Sequence, residues 1–409
     1  MNRRPAPTAL LAALLATLLA AGGAQAQKSP YYIGVIQDFT HESNVFNADS
    51  AQRQSDTIST TTLRGGIDQP FGRQRFFANA SLNHRRYSDN GGLNNNGYGL
   101  NVGLDWSTIE RLSGSLVVNA NQQLSRFNAG VIVPVTLRNV ERSEDVDAKV
   151  RYGVVADLAL EGGLGYRQVS FSAPEYAARE YRQDRANLGL SYRAGGALTL
   201  GGGVSGDQTR YRAAATGQSA PDSSQRRDLY LTANWVPTGA SSVNARVNFG
   251  KIEYDRATAA DFSGVTGSLT WLWKPTGKLQ FATTLSRDAG QESGFIRVVD
   301  FQNRNPILPN ASDFSRVTNV LGVRAAYELT AKIDLDAGLN YARRNLVDGV
   351  TGASGTDNTT AFSVGARWAA LRTLVVGCNA SHSSRTASGF GSSEYEGTAF
   401  GCFGSFTLD

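Results

Sequence analysis

His41, His84 and His382 are the only three histidines among 409 residues, and they lie far apart along the chain. A Ser/His/Asp triad or an imidazole-based metal site therefore has few candidate parts. No Gly-x-Ser-x-Gly elbow, His-Glu-x-x-His pair or phosphate-binding loop occurs where flanking elements would support it. Gly201-Gly202-Gly203 follows a strand pattern but opens no helix, so it reads as a strand of small side chains that a neighbouring chain or substrate can approach closely. No catalytic residue, metal site or cofactor is expected.

Two other sets of residues carry chemistry. Cys378 and Cys402 are the only cysteines, and an even pair in an exported chain reads as a disulfide. They fall on the last two strand patterns, on the face of Leu374, Val376 and Ala380 and of Phe400 and Phe406, where antiparallel pairing can bring two Cα atoms within bonding range. The second set is charge. Arg85, Lys149, Arg151, Arg185, Arg193, Arg246, Arg316, Arg324, Arg344 and Arg367 alternate with apolar neighbours along the chain, as do Asp105, Asp145, Asp147, Asp228, Glu328, Asp334 and Asp336. Asparagines such as Asn79, Asn119, Asn187 and Asn340 share that parity. With a formal charge of +5 and basic residues scattered rather than clustered, nucleic acid is not an expected partner.

The elements that position these residues are strands. From Tyr31 onward apolar residues recur with period two, most clearly in Tyr98, Leu100, Val102, Leu104 and Trp106, interleaved with Gly99, Asn101, Gly103 and Asp105. Short turns fall near 69–72, 109–113, 157–161, 194–197, 237–241, 274–278, 330–332 and 370–373. Long polar segments fall near 40–54, 87–96, 126–143, 172–180, 212–226, 254–262, 287–313, 347–358 and 384–394. Seventeen connections join eighteen strands, and an even number places both termini on one side, as in bacterial outer-membrane barrels with short periplasmic turns and long external loops. A soluble propeller or sandwich also alternates apolar and polar positions. Against it stand the continuity of the polar face and the five tryptophans, Trp106, Trp235, Trp271, Trp273 and Trp368, each close to a short turn, as on a membrane-interface rim.

The expected fold is thus all-β: a transmembrane, antiparallel, up-and-down barrel of about eighteen strands, one domain over 27–409. Lipid has no water to serve an open sheet edge, so Tyr395 to Asp409 must close on the strand near Tyr31. Residues 1–26 carry Arg3 and Arg4, an apolar stretch from Ala9 to Ala21, and Ala24-Gln25-Ala26. That order is a secretory signal peptide with cleavage after Ala26. The charged and amide residues of the polar parity then line a wet lumen, since charges are costly to leave dry. In the plainer account they pair across the wall, Arg324 with Asp334 or Glu328 with Arg344. In the sharper one they form a modestly basic, Asn-rich tunnel whose guanidinium forks suit carboxylates and whose amides suit hydroxyls.

The first strand and turn, Tyr32-Ile33-Gly34-Val35 running into His41-Glu42-Ser43-Asn44-Val45-Phe46, together with the paired cysteines and the ending Gly401-Cys402-Phe403-Gly404-Ser405-Phe406-Thr407-Leu408, resemble the beta-barrel porin-2 group. These outer-membrane barrels are encoded with exopolysaccharide biosynthesis genes and commonly labelled exopolysaccharide biosynthesis operon protein EpsL. The resemblance implies an outer-membrane role in exopolysaccharide export with no catalytic residues. The implied partners are outer-membrane lipid, a saccharide or other polar solute, the barrel-assembly machinery and periplasmic export components. A general diffusion porin and a structural or adhesive surface barrel are the alternative readings.

Overall fold

The computed structural model describes residues 29–127, 136–155, 157–212, 223–290, 315–348, 352–389 and 391–409. The expected signal peptide lies outside them. Among the described residues the regular structure is strand, with three short 3-10 turns in the longer loops and no helix long and apolar enough to cross a membrane.

The strands run β1 Tyr31–Glu42, β2 Asp56–Phe71, β3 Gln74–Tyr87, β4 Asn95–Ser107, β5 Leu112–Leu124 and β6 Val140–Val155. They continue β7 Leu158–Phe171, β8 Tyr181–Ala194, β9 Leu198–Tyr211, β10 Ser223–Thr238, β11 Ser241–Tyr254 and β12 Phe262–Trp273. The last six are β13 Leu279–Ala289, β14 Ser315–Thr330, β15 Ile333–Val347, β16 Ser354–Ala369, β17 Leu374–Gly389 and β18 Tyr395–Leu408. Each pairs antiparallel with its sequence neighbours, and β1 pairs with β18 from Ile33 opposite Leu408 to Glu42 opposite Ala399. The sheet is therefore a closed barrel of eighteen strands. Closure leaves no strand with an unpaired edge, which is the one way a sheet satisfies its whole backbone without water.

Parity sorts the side chains as alternation dictates. On β4, Leu100 and Leu104 point outward and are exposed, while Asn101 points inward and donates to Asn119 on β5 at 2.7 Å. Outward Leu82 and Leu164 are 60% and 68% exposed. Similar exposed residues on seventeen of the eighteen strands, with half-buried Leu374 and Val376 on β17, form a continuous apolar belt, far more than a soluble monomer tolerates in one patch. The tryptophans sit at its short-turn rim, where Trp271 stacks on Trp273 and Trp273 on Phe281, both at 5.5 Å between centroids.

Toward the long loops the strands continue beyond the belt and their outward positions turn polar. Arg86, Arg142, Arg182, Arg210, Arg227, Lys251, Arg287 and Arg343 all lie exposed in this upper band. Several have carboxylate neighbours on the same face: Arg142 with Glu144, Arg210 with Asp184 at 2.9 Å, and Lys251 with Glu253 at 2.8 Å.

The cysteines are bonded. Cys378 stands directly opposite Cys402 in the β17–β18 register with Cα atoms 4.0 Å apart, and Cys402 faces outward beside Phe39. The bridge staples the last hairpin next to the seam at which the barrel closes.

Candidate functional site: the barrel interior and its loop-side constriction

Inward parity gathers most of the charged residues singled out above, but in distinct environments at different heights. Near the short turns, Arg151 donates to Glu161 at 3.2 Å, and Arg193 lies exposed at the end of β8. Arg367 binds Asp334, its directly opposite neighbour on β15, with one contact at 3.1 Å. Glu328 faces Asp334 across β14–β15, so the same Arg367–Asp334 pair moderates a like-charged juxtaposition. Arg324 sits on β14 opposite Gly338, and Asp336 on β15 opposite Gly365. Arg316 belongs to β14 at a register irregularity, and its side chain is outside the described residues.

Midway up one wall, Arg185 reaches across β7 to donate to Asp145 at 2.7 Å and Asp147 at 3.3 Å. With Lys149, Arg167, Asn187 and Asp207 these line a polar cavity of about 330 Å³. Beside it, Arg246 lies 3.9 Å over the ring of Tyr230, and its Nε donates to Asn248 at 2.8 Å. This arrangement corrects the reading of Gly201-Gly202-Gly203. A Cβ at Gly203 on β9 or at Gly189 on β8 would collide with the hydroxyl of Tyr230 on β10, so these glycines make room for a tyrosine reaching over two strands rather than for another chain or a substrate.

Higher still, the interior is packed. Arg344 and Asp357, opposite each other on β15 and β16, form a two-pronged pair with side chains 1% and 0% exposed. Arg226 is also buried, donating to Asp228 at 2.7 Å, Asp288 at 2.9 Å and Thr266 at 2.9 Å. The pairs Arg324–Asp334 and Glu328–Arg344 expected from sequence are thus replaced by Arg367–Asp334 and Arg344–Asp357. The register decides this, since each arginine takes the acid straight across from it.

At the long-loop mouth the segment after β1 folds inward. The Asn44 amide donates to the carbonyls of Ala48 at 2.7 Å and Glu396 at 2.9 Å, and its oxygen accepts from the Ala48 N–H at 3.0 Å. Val45, Phe46 and Ala48 are thereby buried with Ile58, Tyr87, Leu93 and Phe127, the Phe46 ring meeting Phe127 edge-on at 4.9 Å. Of the two loops expected to reach inward, 126–143 contributes Phe127, while 287–313 is described only through Gly290.

Beneath this loop lies a polar cavity of about 320 Å³. Arg85, Arg126 and Arg385 line it with one carboxylate, Glu42, and with Asn340, Ser381, Ser383 and Tyr395. Arg385 lies 4.8 Å over the Tyr395 ring and its Nε donates to Thr359 at 3.1 Å. Guanidinium groups beside hydroxyls, an amide and an aromatic face can bind a carboxylate or a hydroxyl-rich solute. Of these basic residues, sequence parity singled out Arg85. It missed Arg126 and Arg385, as well as Asp357, Arg226 and Asp288, all of which fell in or at the edge of segments read as loop. Among the described residues no group of His, Cys, Asp and Glu is arranged to hold a metal ion.

No family model matches the sequence, and no curated protein matches it. Solved structures do match in shape. Pseudomonas aeruginosa OccK2 (OpdF) superposes with a TM-score of 0.51 at 12% identity, covering 92% of this chain and 98% of that one. The outer membrane protein opdK of Pseudomonas aeruginosa gives 0.49 at 15% identity, and a BenF-like porin from Pseudomonas fluorescens Pf-5 gives 0.48 at 13%, each covering 92% of this chain and 99% of the other. At 12% identity the likeness to OccK2 is one of fold alone, and it agrees with the closed antiparallel barrel described above.

Proposed function

We propose that this chain is a porin-like channel of the bacterial outer membrane, a passive conduit for polar or anionic solutes that pass the constriction beneath the loop after β1. One observation carries the reading: a closed barrel whose outer wall is an apolar belt and whose interior holds a cavity with three arginines, one glutamate and several hydroxyls. The leader ending at Ala26 directs export, and the alternating C-terminal strand serves the barrel-assembly machinery. Carboxylated or hydroxyl-rich saccharide suits the cavity, and the resemblance to the exopolysaccharide-associated barrels supports a polymer of that kind, delivered by periplasmic export components.

A general diffusion porin for small solutes is favoured by a different observation. Arg185, Arg367 and Arg151 are already matched by acids, which leaves much of the wall close to neutral. Planar bilayers test the shared part. The reconstituted barrel is expected to conduct in discrete steps, with a reversal potential favouring anions that shifts toward cations when Arg85 and Arg126 become alanine. A barrel that never conducts, even with its loops trimmed, overturns the channel reading. Polymer secretion in a deletion strain separates the two solute classes: secretion that stays normal favours the general porin.

A further inference from the structure

The outer wall across β6 to β11 is interrupted by a hollow. One row of directly opposed outward residues runs Ala148, Leu164, Ala186, Gly206, Arg227, Lys251, and the row nearer the short turns runs Val150, Gly162, Leu188, Val204, Leu229, Phe249. Small residues at Ala148, Gly162, Ala186 and Gly206 set the wall back between larger neighbours and leave an apolar depression of about 840 Å³, open to the outside. The same row that is hollow at Gly206 becomes cationic at the very next strand. Arg227 lines the depression; its guanidinium donates to Gln225 at 3.1 Å, and Lys251 stands directly opposite it. Above the hollow, Arg182 is directly opposite Arg210, a like-charged juxtaposition that destabilises a sheet unless an anion or acid moderates it. Asp184 takes part of that role through its 2.9 Å contact to Arg210.

We infer that this hollow is a lipid site, in which an acyl chain fills the depression and Arg227 and Lys251 hold the phosphate of a glycolipid headgroup. The assignment rests on the outer-membrane placement proposed above. β1 begins and β18 ends on the short-turn side, and with short turns periplasmic the polar band with its arginines falls in the external leaflet, where the phosphorylated glycolipid is the resident anion. A guanidinium and an ammonium at the upper edge of an apolar trough match a phosphate at the upper end of an acyl chain. Lys251 is paired with Glu253 at 2.8 Å and Asp184 with Arg210, so a headgroup phosphate at this edge shares Lys251 with that carboxylate and meets Arg227 as its unshared cation on the row.

Native mass spectrometry of the detergent-solubilised barrel tests this with three probes: diphosphorylated lipid A, its dephosphorylated form, and phosphatidylglycerol. Retention of the diphosphorylated glycolipid is expected, with binding of the other two at least about tenfold weaker. The double variant Arg227→Ala/Lys251→Ala, and separately Ala186→Leu, which fills the trough, are each expected to weaken lipid A binding by about tenfold, the equivalent of one charged contact or its apolar counterpart. Equal binding of the dephosphorylated lipid or of phosphatidylglycerol overturns the headgroup assignment. Binding indifferent to both variants overturns the site, and so does a second copy of the chain released by Ala186→Leu. Heat-modifiable gel mobility of the same preparations confirms that the variants are folded, and single-channel conductance is recorded separately. A non-conducting barrel that binds lipid A as stated sinks the channel reading and leaves the lipid site standing.

Discussion

Two arginine–aspartate pairs inside one barrel show how burial changes the worth of the same chemistry. Arg344 and Asp357 are 1% and 0% exposed, while Arg367 and Asp334 are 34% and 23% exposed. Both pairs are formed by residues directly opposite on β15 and β16, so register and geometry are alike. Solvent separates them. Removing one partner of the buried pair leaves an unpaired charge away from water, so Asp357→Ala is expected to lower stability by about 3 to 5 kcal/mol. Replacing both, as Arg344→Met with Asp357→Leu, is expected to recover most of that loss, because the desolvation cost leaves with the charges. Arg367→Ala is expected to cost about 1 kcal/mol or less, since water serves the acid left behind. Urea titration of the three variants in micelles, with the folded fraction read from heat-modifiable gel mobility, gives the order. Equal losses for Asp357→Ala and Arg367→Ala would show that the upper interior is as wet as the lower.

At the scale of the element, the segment after β1 is held across the mouth by a short set of contacts, among them the Ser43 N–H to the Thr398 carbonyl at 2.9 Å. Asn44 fastens it to the Glu396 carbonyl of β18, and Phe46 rests on Phe127. Asn44→Ala removes three hydrogen bonds and leaves the Ala48 N–H and two carbonyls to find other partners, a local loss of roughly 1 to 3 kcal/mol. The loop's open substate is then expected to grow roughly tenfold or more, seen in single-channel records as more frequent and longer high-conductance excursions. Records indistinguishable from the unaltered protein would mean that this loop does not set the constriction. The same region explains how far the sequence could be read. Turn placement and strand count follow from period-two alternation, because at belt height one face must be greasy and the other wet. Beyond the belt both faces of a strand meet water or polar loops, and the alternation vanishes although the strand goes on. Arg226 on β10, Asp288 on β13, Asp357 on β16 and Arg385 on β17 all lie in such extensions. They look like loop residues in sequence and prove to be the buried or cavity-lining charges. One usable trace remained: Arg226 has the parity of Asp228 and Tyr230, and extending that phase past the apolar run points it inward.

For the whole molecule, the belt and the polar band above it fix how the barrel must sit in its surroundings, and outward substitutions can measure this. Leu63 lies in the belt, opposite Val35 on β1 and Leu82 on β3. Thr57 is on the same outward face of β2, six residues nearer the long loops, opposite His41. Strand rise and tilt carry a six-residue step from the interior of a hydrocarbon layer about 25 Å tall toward its boundary. Leu63→Arg is therefore expected to destabilise the barrel in lipid by about 2 to 4 kcal/mol and Thr57→Arg by about 0 to 1 kcal/mol. The two changes add the same charge to the same face of one strand, so intrinsic strand preference and net charge largely cancel between them, and depth is what remains. In detergent, whose shell adapts to a new charge, the gap is expected to shrink. Folding titrations in vesicles and in micelles supply both comparisons. A gap that is equally large in both media would locate the penalty in packing between strands, and the outer wall would then owe its apolar character to something other than contact with a bilayer.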